Sequence, residues 1–423
     1  MNQSQNNQPA VSRRQFIKTS SLAAGVVAAT APFVLTSHAA PDDPIRVGII
    51  GCGGRGGGAG KNAEAAAPNV KVIGIADIFP DQVDKAKQNF PGVNPDYCFS
   101  GFDAYEKLLK VPEINYVILG TPPGFRPIHF AAAIAAGKHV FMEKPVATDV
   151  PGIKMIYQAG EQAAQKKLCV VAGTQRRHSA NYIETIKRIH DGAIGDIIYT
   201  KAYWNQGAIW HRGDQGETEM EKQIRNWYHY VWLSGDHIVE QHVHNIDISN
   251  WVMKAHPIRA VSGVGGRHAL GNKSGHIFDH FAVEFEYPNG ARLFSQCCQI
   301  TGKEGNVSEF AVGTKGTSNC QNWILAEGQR WRSSAKSIDA YVQEHTDLIT
   351  AIRTGQYVNE AQTVADSTLT AIMGREATYC GKAVRWDDLL KEGKALVPKT
   401  FAWGPAPKVE VAYPNSYKWE AES

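Results

Sequence analysis

Residues 45–58, IRVGIIGCGGRGGG, decide how this chain is read. Ile45–Ile50 is an apolar, β-branched run, the pattern of a strand buried on both faces of a parallel sheet. It runs straight into Gly51-Cys52-Gly53-Gly54-Arg55-Gly56, which spaces its glycines as GxGxxG. The first glycine permits a tight turn, the second lets backbone approach a pyrophosphate, and the third lets a helix pack closely on the strand. A helix-like stretch with Ala59, Ala63, Ala66 and Ala67 follows, then an apolar strand over residues 70–76 ending at Asp77. Strand, glycine turn, helix, strand and terminal acid, in that order, are the fingerprint of a dinucleotide-binding fold. Asp77 can accept hydrogen bonds from ribose hydroxyls and would repel a 2′-phosphate. Ile78 and Phe79 come next, with no adjacent arginine to pair a phosphate, so NAD is expected over NADP.

The alternation continues downstream. Helices are predicted over residues 102–109, 128–136 and 150–166, and strands over 114–119, 139–142 and 168–172. Gly137 is the expected stop of the second helix. This is an α/β chain whose first half is a doubly wound parallel sheet. The ligand of such a sheet lies at the carboxyl ends of its strands, here near Gly51, Asp77, Thr121, Pro122, Glu143 and Lys144.

The sequence ahead of this half poses a question of place. Residues 11–40 read VSRRQFIKTSSLAAGVVAATAPFVLTSHAA: a basic start, a moderately apolar run, then Ser37-His38-Ala39, which suits cleavage after Ala39. Ser12 to Lys18 resembles the twin-arginine export signal. That route exports folded proteins with cofactor already bound, which reconciles an exported chain with a nucleotide-binding loop. The expected location is the periplasm, with tightly held NAD and the twin-arginine machinery as a partner. Arg13, Arg14 and Lys18 are the only charges in residues 1–39, and removing them takes the formal net charge from +3 to neutral. A neutral chain has no broad electrostatic claim on nucleic acid or membrane. Seven cysteines without regular spacing exclude a metal cage or disulfide framework as the organising principle.

The glycine loop, Thr121-Pro122-Pro123 and the run Gly137-Lys138-His139-Val140-Phe141-Met142-Glu143-Lys144-Pro145 together resemble the Gfo/Idh/MocA family, named for glucose–fructose oxidoreductase and inositol dehydrogenase. The resemblance covers nearly the whole mature chain. It implies an N-terminal Rossmann domain, a C-terminal α/β domain with a large, mostly antiparallel open sheet, and assembly through that sheet as a dimer or tetramer. It implies oxidation of a secondary alcohol on a sugar or cyclitol, with hydride passing to nicotinamide. It further implies that Lys144 lies beside the nicotinamide and hydrogen-bonds the reacting oxygen. The expected divisions are a signal over residues 1–39, a nucleotide domain over 45–172 and a sheet domain over 173–335. Helices over 336–390 return to the first domain, and an extended tail covers 391–423.

Ser234 to Asp247, SGDHIVEQHVHNID, resembles the family's second signature, an acid, three residues, a histidine, two residues and an acid. Here Glu240 stands where the family has aspartate, and His242 where it has a small residue. On a continuous helix Glu240, His244 and Asp247 would share a face and set an imidazole between carboxylates. Lys144, His244 and Glu240 are the expected catalytic set, with His242 beside the substrate. The same histidines invite a metal reading, but on a helix His242 and His244 diverge by about 200°, and no metal is expected.

Four of the ten tryptophans fall within residues 203–232, among Asn, Arg and His. Aromatic faces stack on sugar rings, so Trp210, Asn226 and Tyr228 are candidate substrate residues, and the charged stretch 212–225 is read as a surface loop over a sugar site. Arg55 of the glycine loop, Glu143, and Arg177 in the run after residue 172 are candidate cofactor residues. An Asn289-Gly290 hairpin joins two strands around residues 281–296, and helices are read over 337–354 and 365–380. These residues together point to an exported NAD-dependent oxidoreductase of a sugar, glycoside or cyclitol. Two other readings share the motifs. Exported relatives of this family cleave glycosides by transient oxidation and elimination, regenerating NAD, although their Tyr-Pro-Thr-His-Gly-type run is absent here. A sugar-binding protein with structural NAD is the second.

Overall fold

The computed structural model describes residues 43–336, 338–408 and 410–421. The expected export signal, its twin-arginine motif and its cleavage site lie outside the described residues.

The first sheet comprises β1 (Ile45–Ile50), β2 (Val70–Asp77), β3 (Cys98–Ser100), β4 (Tyr116–Leu119), β5 (His139–Met142) and β6 (Val170–Ala172). Every neighbouring pair is parallel, and the order β3-β2-β1-β4-β5-β6 reverses between β1 and β4. That reversal opens a crevice at the strands' carboxyl ends. Its connections carry α1 (Gly54–Ala66), α2 (Pro80–Asn89), α3 (Ala104–Leu109), α4 (Arg126–Ala135) and α5 (Val150–Lys166). Periodicity does not disclose α2, which buries only Val83 and Ala86, nor the three-residue β3. Strands β4 and β6 start after the apolar runs that announce them, because Ile114 and Leu168 are buried in the core ahead of the ladder.

The second sheet holds β7 (Ile197–Gln206), β8 (Arg259–Gly266), β9 (His280–Glu286), β10 (Arg292–Gln299), β11 (Asn306–Gly313), β12 (Gly316–Ser318), β13 (Trp323–Ala326), β14 (Gln329–Arg332) and β15 (Val384–Arg385). Its order is β14-β13-β12-β11-β7-β10-β9-β8-β15, with β7 and β10 parallel and the other pairs antiparallel. The Asn-Gly hairpin joins β9 to β10 with Gly290 at φ +82°. Around the sheet lie α6 (Ala180–His190), α7 (Glu219–Arg225), α8 (Val231–Ser234), α9 (His237–Glu240) and α10 (Val243–Met253).

Three helices follow: α11 (Ala340–Thr354), α12 (Ala361–Cys380) and α13 (Trp386–Glu392). Leu348 and Ile349 of α11 share a core with Val47 and Ile49 of β1. Helix α12 is buried along almost its whole length, and Leu369, Ile372 and Met373 join Ile153 of α5 to Phe285 of β9. Strand β8 approaches it through glycines, since a Cβ on Gly263 would lie 2.3 Å from Thr378 Oγ1. The other face of the sheet leaves Val264 and Phe294 exposed. All seven cysteines are free thiols, and six are buried.

His178 fastens α11 beside β6 through two ion pairs. His178 Nδ1 lies 2.6 Å from Asp347 and its Nε2 3.4 Å from Glu360. Burial opposes the imidazolium, but hydrogen bonds to Asp347 and Glu360 outweigh it and lift the His178 pKa to about 10. Protonated His178 therefore contributes its full stabilisation below the ordinary pKa of 6.5 and loses it as pH rises through about 10. Urea unfolding at pH 7 and at about pH 10.5 is expected to show a larger loss of stability for the native chain than for His178→Gln. Equal losses would remove the assignment.

Candidate functional site

Three glycines build the mouth of the crevice, each for a different reason. Gly51 sits at φ +84°, and a Cβ there would lie 2.5 Å from the Thr121 amide nitrogen. A Cβ on Gly56 would lie 1.9 Å from the Gly51 carbonyl oxygen, so α1 can pack on β1 only with glycine there. Gly53 and Gly54 face open space. No side chain caps α1, so its first amides are free to bond a ligand. Two glycines are thus demanded by the chain's own packing, whereas nothing among the described residues demands the one at position 53. Backbone amides at an uncapped helix N-terminus suit a pyrophosphate, and the donor set fits a dinucleotide.

The cleft behind this mouth holds about 350 Å3 and runs from Gly53 and Arg55 past Asp77 to Thr121, Pro122 and His129. Asp77 accepts the Phe79 amide at 3.0 Å and the Cys52 amide at 2.9 Å, one on each carboxylate oxygen. Burial pushes its carboxyl upward, against those bonds. Asp77 lines the cleft, where its remaining lone pairs are available as acceptors. An arginine distant in sequence does enter this part of the cleft: Arg225 lies 3.9 Å over the ring of Phe79, two residues after Asp77. Arg225 is already held by Glu221 at 2.9 Å and Asp81 at 3.4 Å. The acid at position 77 therefore still favours an unphosphorylated ribose.

At the far end of the sheet, Lys144 follows β5 and donates to the Glu240 carbonyl at 2.6 Å and to Glu240 Oε1 at 3.1 Å. His244 stacks on Trp204, with centroids 5.7 Å apart. Burial, followed by the charges of Lys144, Arg176 and Arg55, drives the His244 pKa well below its usual value, leaving a neutral imidazole. Glu143 pairs with Arg55, which also reaches Glu344 at 3.3 Å and lies 4.6 Å over the Tyr341 ring.

Several expectations need correction. Residues 240–247 are not one helix: α9 ends at Glu240 and α10 begins at Val243. Glu240 is turned to Lys144, and Asp247 takes Arg177 at 2.7 Å and the Ser367 hydroxyl at 2.7 Å, so the imidazole is not set between carboxylates. Arg177 is consumed by that pair and by Trp251, not by a cofactor. It is Arg176 that lies over Trp204, 5.9 Å from the ring, while paired with Glu309. His242 is fully buried and bonds Ser295 of β10 at 2.8 Å, which removes it from the substrate. Tyr228 is buried against Gln299. Asn226 is fully buried and binds the backbone of residues 212 and 213.

The stretch 212–225 is not simply a loop. Thr218 caps α7 through the Glu221 amide at 3.2 Å, and Met220 and Ile224 are buried. The Thr218-x-x-Glu221 spacing, a capping box ahead of Met220 and Ile224, is the signal that could have found it. Arg212, Ile224 and Arg225 of this stretch, with Trp210 and Trp227, line the same cleft as the glycine loop, which places Trp210 at the cofactor cleft. Residues 396–406 brace the same wall, with Phe401 4.9 Å from Phe125 and Trp403 4.8 Å from Phe102. Arg126 also escaped the sequence. It is 2 % exposed and donates to the carbonyls of Thr121 and Pro145, joining the ends of β4 and β5.

Comparison with known proteins follows the same division. Residues 45–173 match the description "Oxidoreductase family, NAD-binding Rossmann fold", and residues 182–319 match "GFO/IDH/MocA C-terminal domain". An inositol 2-dehydrogenase of Agrobacterium fabrum is 25 % identical over 325 residues, spanning 74 % of this chain and 87 % of that protein. A glycosyl hydrolase family 109 protein of Streptomyces coelicolor is 29 % identical over 212 residues, spanning 45 % of this chain and 44 % of that protein. The crystal structure of scyllo-inositol dehydrogenase from Lactobacillus casei superposes with a TM-score of 0.64 at 22 % identity, covering 82 % and 99 % of the two chains, and shares the fold.

The glycine geometry separates folding from binding. Gly56→Ala is expected to lower thermal stability by several degrees, because its Cβ would press on backbone. Gly53→Ala meets open space and is expected to melt as the native chain does while losing NAD affinity. Melting curves and NAD titration of both variants check the distinction.

Proposed function

The chain belongs to the Gfo/Idh/MocA family of NAD-binding oxidoreductases, and on that premise we propose that it passes hydride between a secondary alcohol carbon of a sugar, glycoside or cyclitol and nicotinamide. The meeting of Lys144, Glu240 and a neutral His244 at the carboxyl end of β5 carries this reading. Nicotinamide, when bound, supplies the hydride acceptor. Lys144 has three ammonium protons and places two on Glu240, which leaves one for a substrate oxygen. His244, kept neutral by burial and nearby cations, takes the hydroxyl proton. The Trp204 ring beneath it gives an apolar face for a sugar ring.

The curated inositol dehydrogenases support the cyclitol or sugar class. Residues 1–39 support export by the twin-arginine route and work in the periplasm on tightly held NAD. The apolar exposed face of the second sheet supports assembly as a dimer or tetramer. A second reading is hydrolysis of a glycoside by oxidation, elimination, water addition and reduction. The Streptomyces coelicolor relative favours it, and a cofactor regenerated at each turnover suits a chain that carries its own.

Reduced-nicotinamide absorbance, recorded while free sugars, glycosides and cyclitols are added, tests the proposal. A lasting rise with one compound class is the expected result, and aglycone release without net reduction selects the second reading. Lys144→Ala is expected to cut turnover by about a hundredfold or more with NAD still bound, and unchanged turnover would sink the mechanism. Because the His244 pKa lies well below 6.5, the rate is expected to persist at pH 6 and fall only on further acidification.

A further inference from the structure

We propose that Arg212, carried on the segment between β7 and α7 of the second half, binds the pyrophosphate of the dinucleotide. The inference rests on the NAD-binding reading above and adds a residue that the glycine fingerprint does not contain. Three arginines line the nucleotide cleft: Arg55, Arg212 and Arg225. Two are neutralised within the chain, Arg55 by Glu143 and Glu344 and Arg225 by Glu221 and Asp81. Arg212, among the described residues, has no salt-bridge partner. It lies 4.4 Å over the Trp210 ring, and that ring also lines the cleft.

The arginine stands on a built platform. Asn226, fully buried, accepts the Arg212 amide at 2.8 Å and donates to the Gly213 carbonyl, so one core side chain holds the backbone on both sides of the guanidinium. His211 Nδ1 accepts the Gly213 amide at 3.1 Å, and its ring meets Ser274 at 3.2 Å. A fully buried amide thus tethers the backbone that carries a solvent-exposed arginine, and no anion among the described residues forms a salt bridge with it. The complementary charge is the doubly negative pyrophosphate, which Gly53 and the uncapped start of α1 would receive in the same cleft.

The test is equilibrium titration of the full-length chain with NAD, NADP, ADP and adenosine, or the exchange rate of labelled NAD where nucleotide is retained. Arg212→Gln is expected to weaken NAD and ADP by about tenfold or more, since a charge-assisted bond is lost, and to leave adenosine unchanged. Arg212→Lys should recover part of that loss, and Arg225→Gln should cost less. Equal affinity of native and Arg212→Gln protein for NAD and ADP would overturn the assignment while leaving the dehydrogenase reading intact. So would a loss shared by adenosine, or one confined to NADP, which would place the arginine at a 2′-phosphate. Failure of the native chain to bind any of the four would instead overturn the NAD-binding reading itself.

Discussion

Lys144 and Glu240 meet across the two halves of the chain with side chains only 10 % and 8 % exposed. A desolvated pair of this kind contributes little net stability, yet separating it leaves a buried charge without its partner. Its value is positional, since it sets the end of the first sheet against α9. Each partner is fixed from behind. On the lysine side, Arg126 ties the carbonyls of Thr121 and Pro145 together, and burial brings its own pKa down to about 10, which keeps it charged at neutral pH. On the glutamate side, Asp236 holds φ +74° and takes the Phe278 amide at 2.7 Å and the Tyr379 hydroxyl at 2.5 Å. The reacting end is therefore supported by two buried charges that do not touch it.

What the sequence disclosed follows from how local each cause is. The glycine loop is legible because turn, clearance and packing all act within six residues, Gly51 to Gly56. Lys144 is legible because a strand end and a following proline mark it. Glu240 and His244 are legible as a pattern, but their geometry is not. The helix breaks between them because His242 turns inward to Ser295, a partner 53 residues away. Arg177 and Arg176 look alike in sequence, and only Asp247 and Glu309 decide which of them is spent on α10 and which lies over Trp204. Arg126 reads as an ordinary first-turn residue of α4 until both carbonyls it joins are in place. The aromatic window is legible, but its destination is not. Apolar and aromatic content show that residues 203–232 must cover something, and only long-range packing shows that it is the nucleotide cleft.

The two halves divide the work unequally. Strands β1, β2 and β4 supply the dinucleotide cradle, while the wall above it comes from α7 and from residues 396–406. The second sheet supplies Trp204 beneath His244 and, through β10, the serine that anchors His242. Helix α12 binds both sheets into one body, so a change at the cradle is felt through packed side chains.

The wall made by residues 396–406 bears on how the chain is made as well as how it works. Phe401 and Trp403 pack against Phe125, Phe102 and Phe79, yet they are translated after every strand of both sheets. A nascent chain on the ribosome displays the complete glycine loop long before it owns the wall. The aromatic backing of Phe79, Phe102 and Phe125, which line the cleft, is therefore among the last parts of the fold to be supplied, after residue 403 has been made.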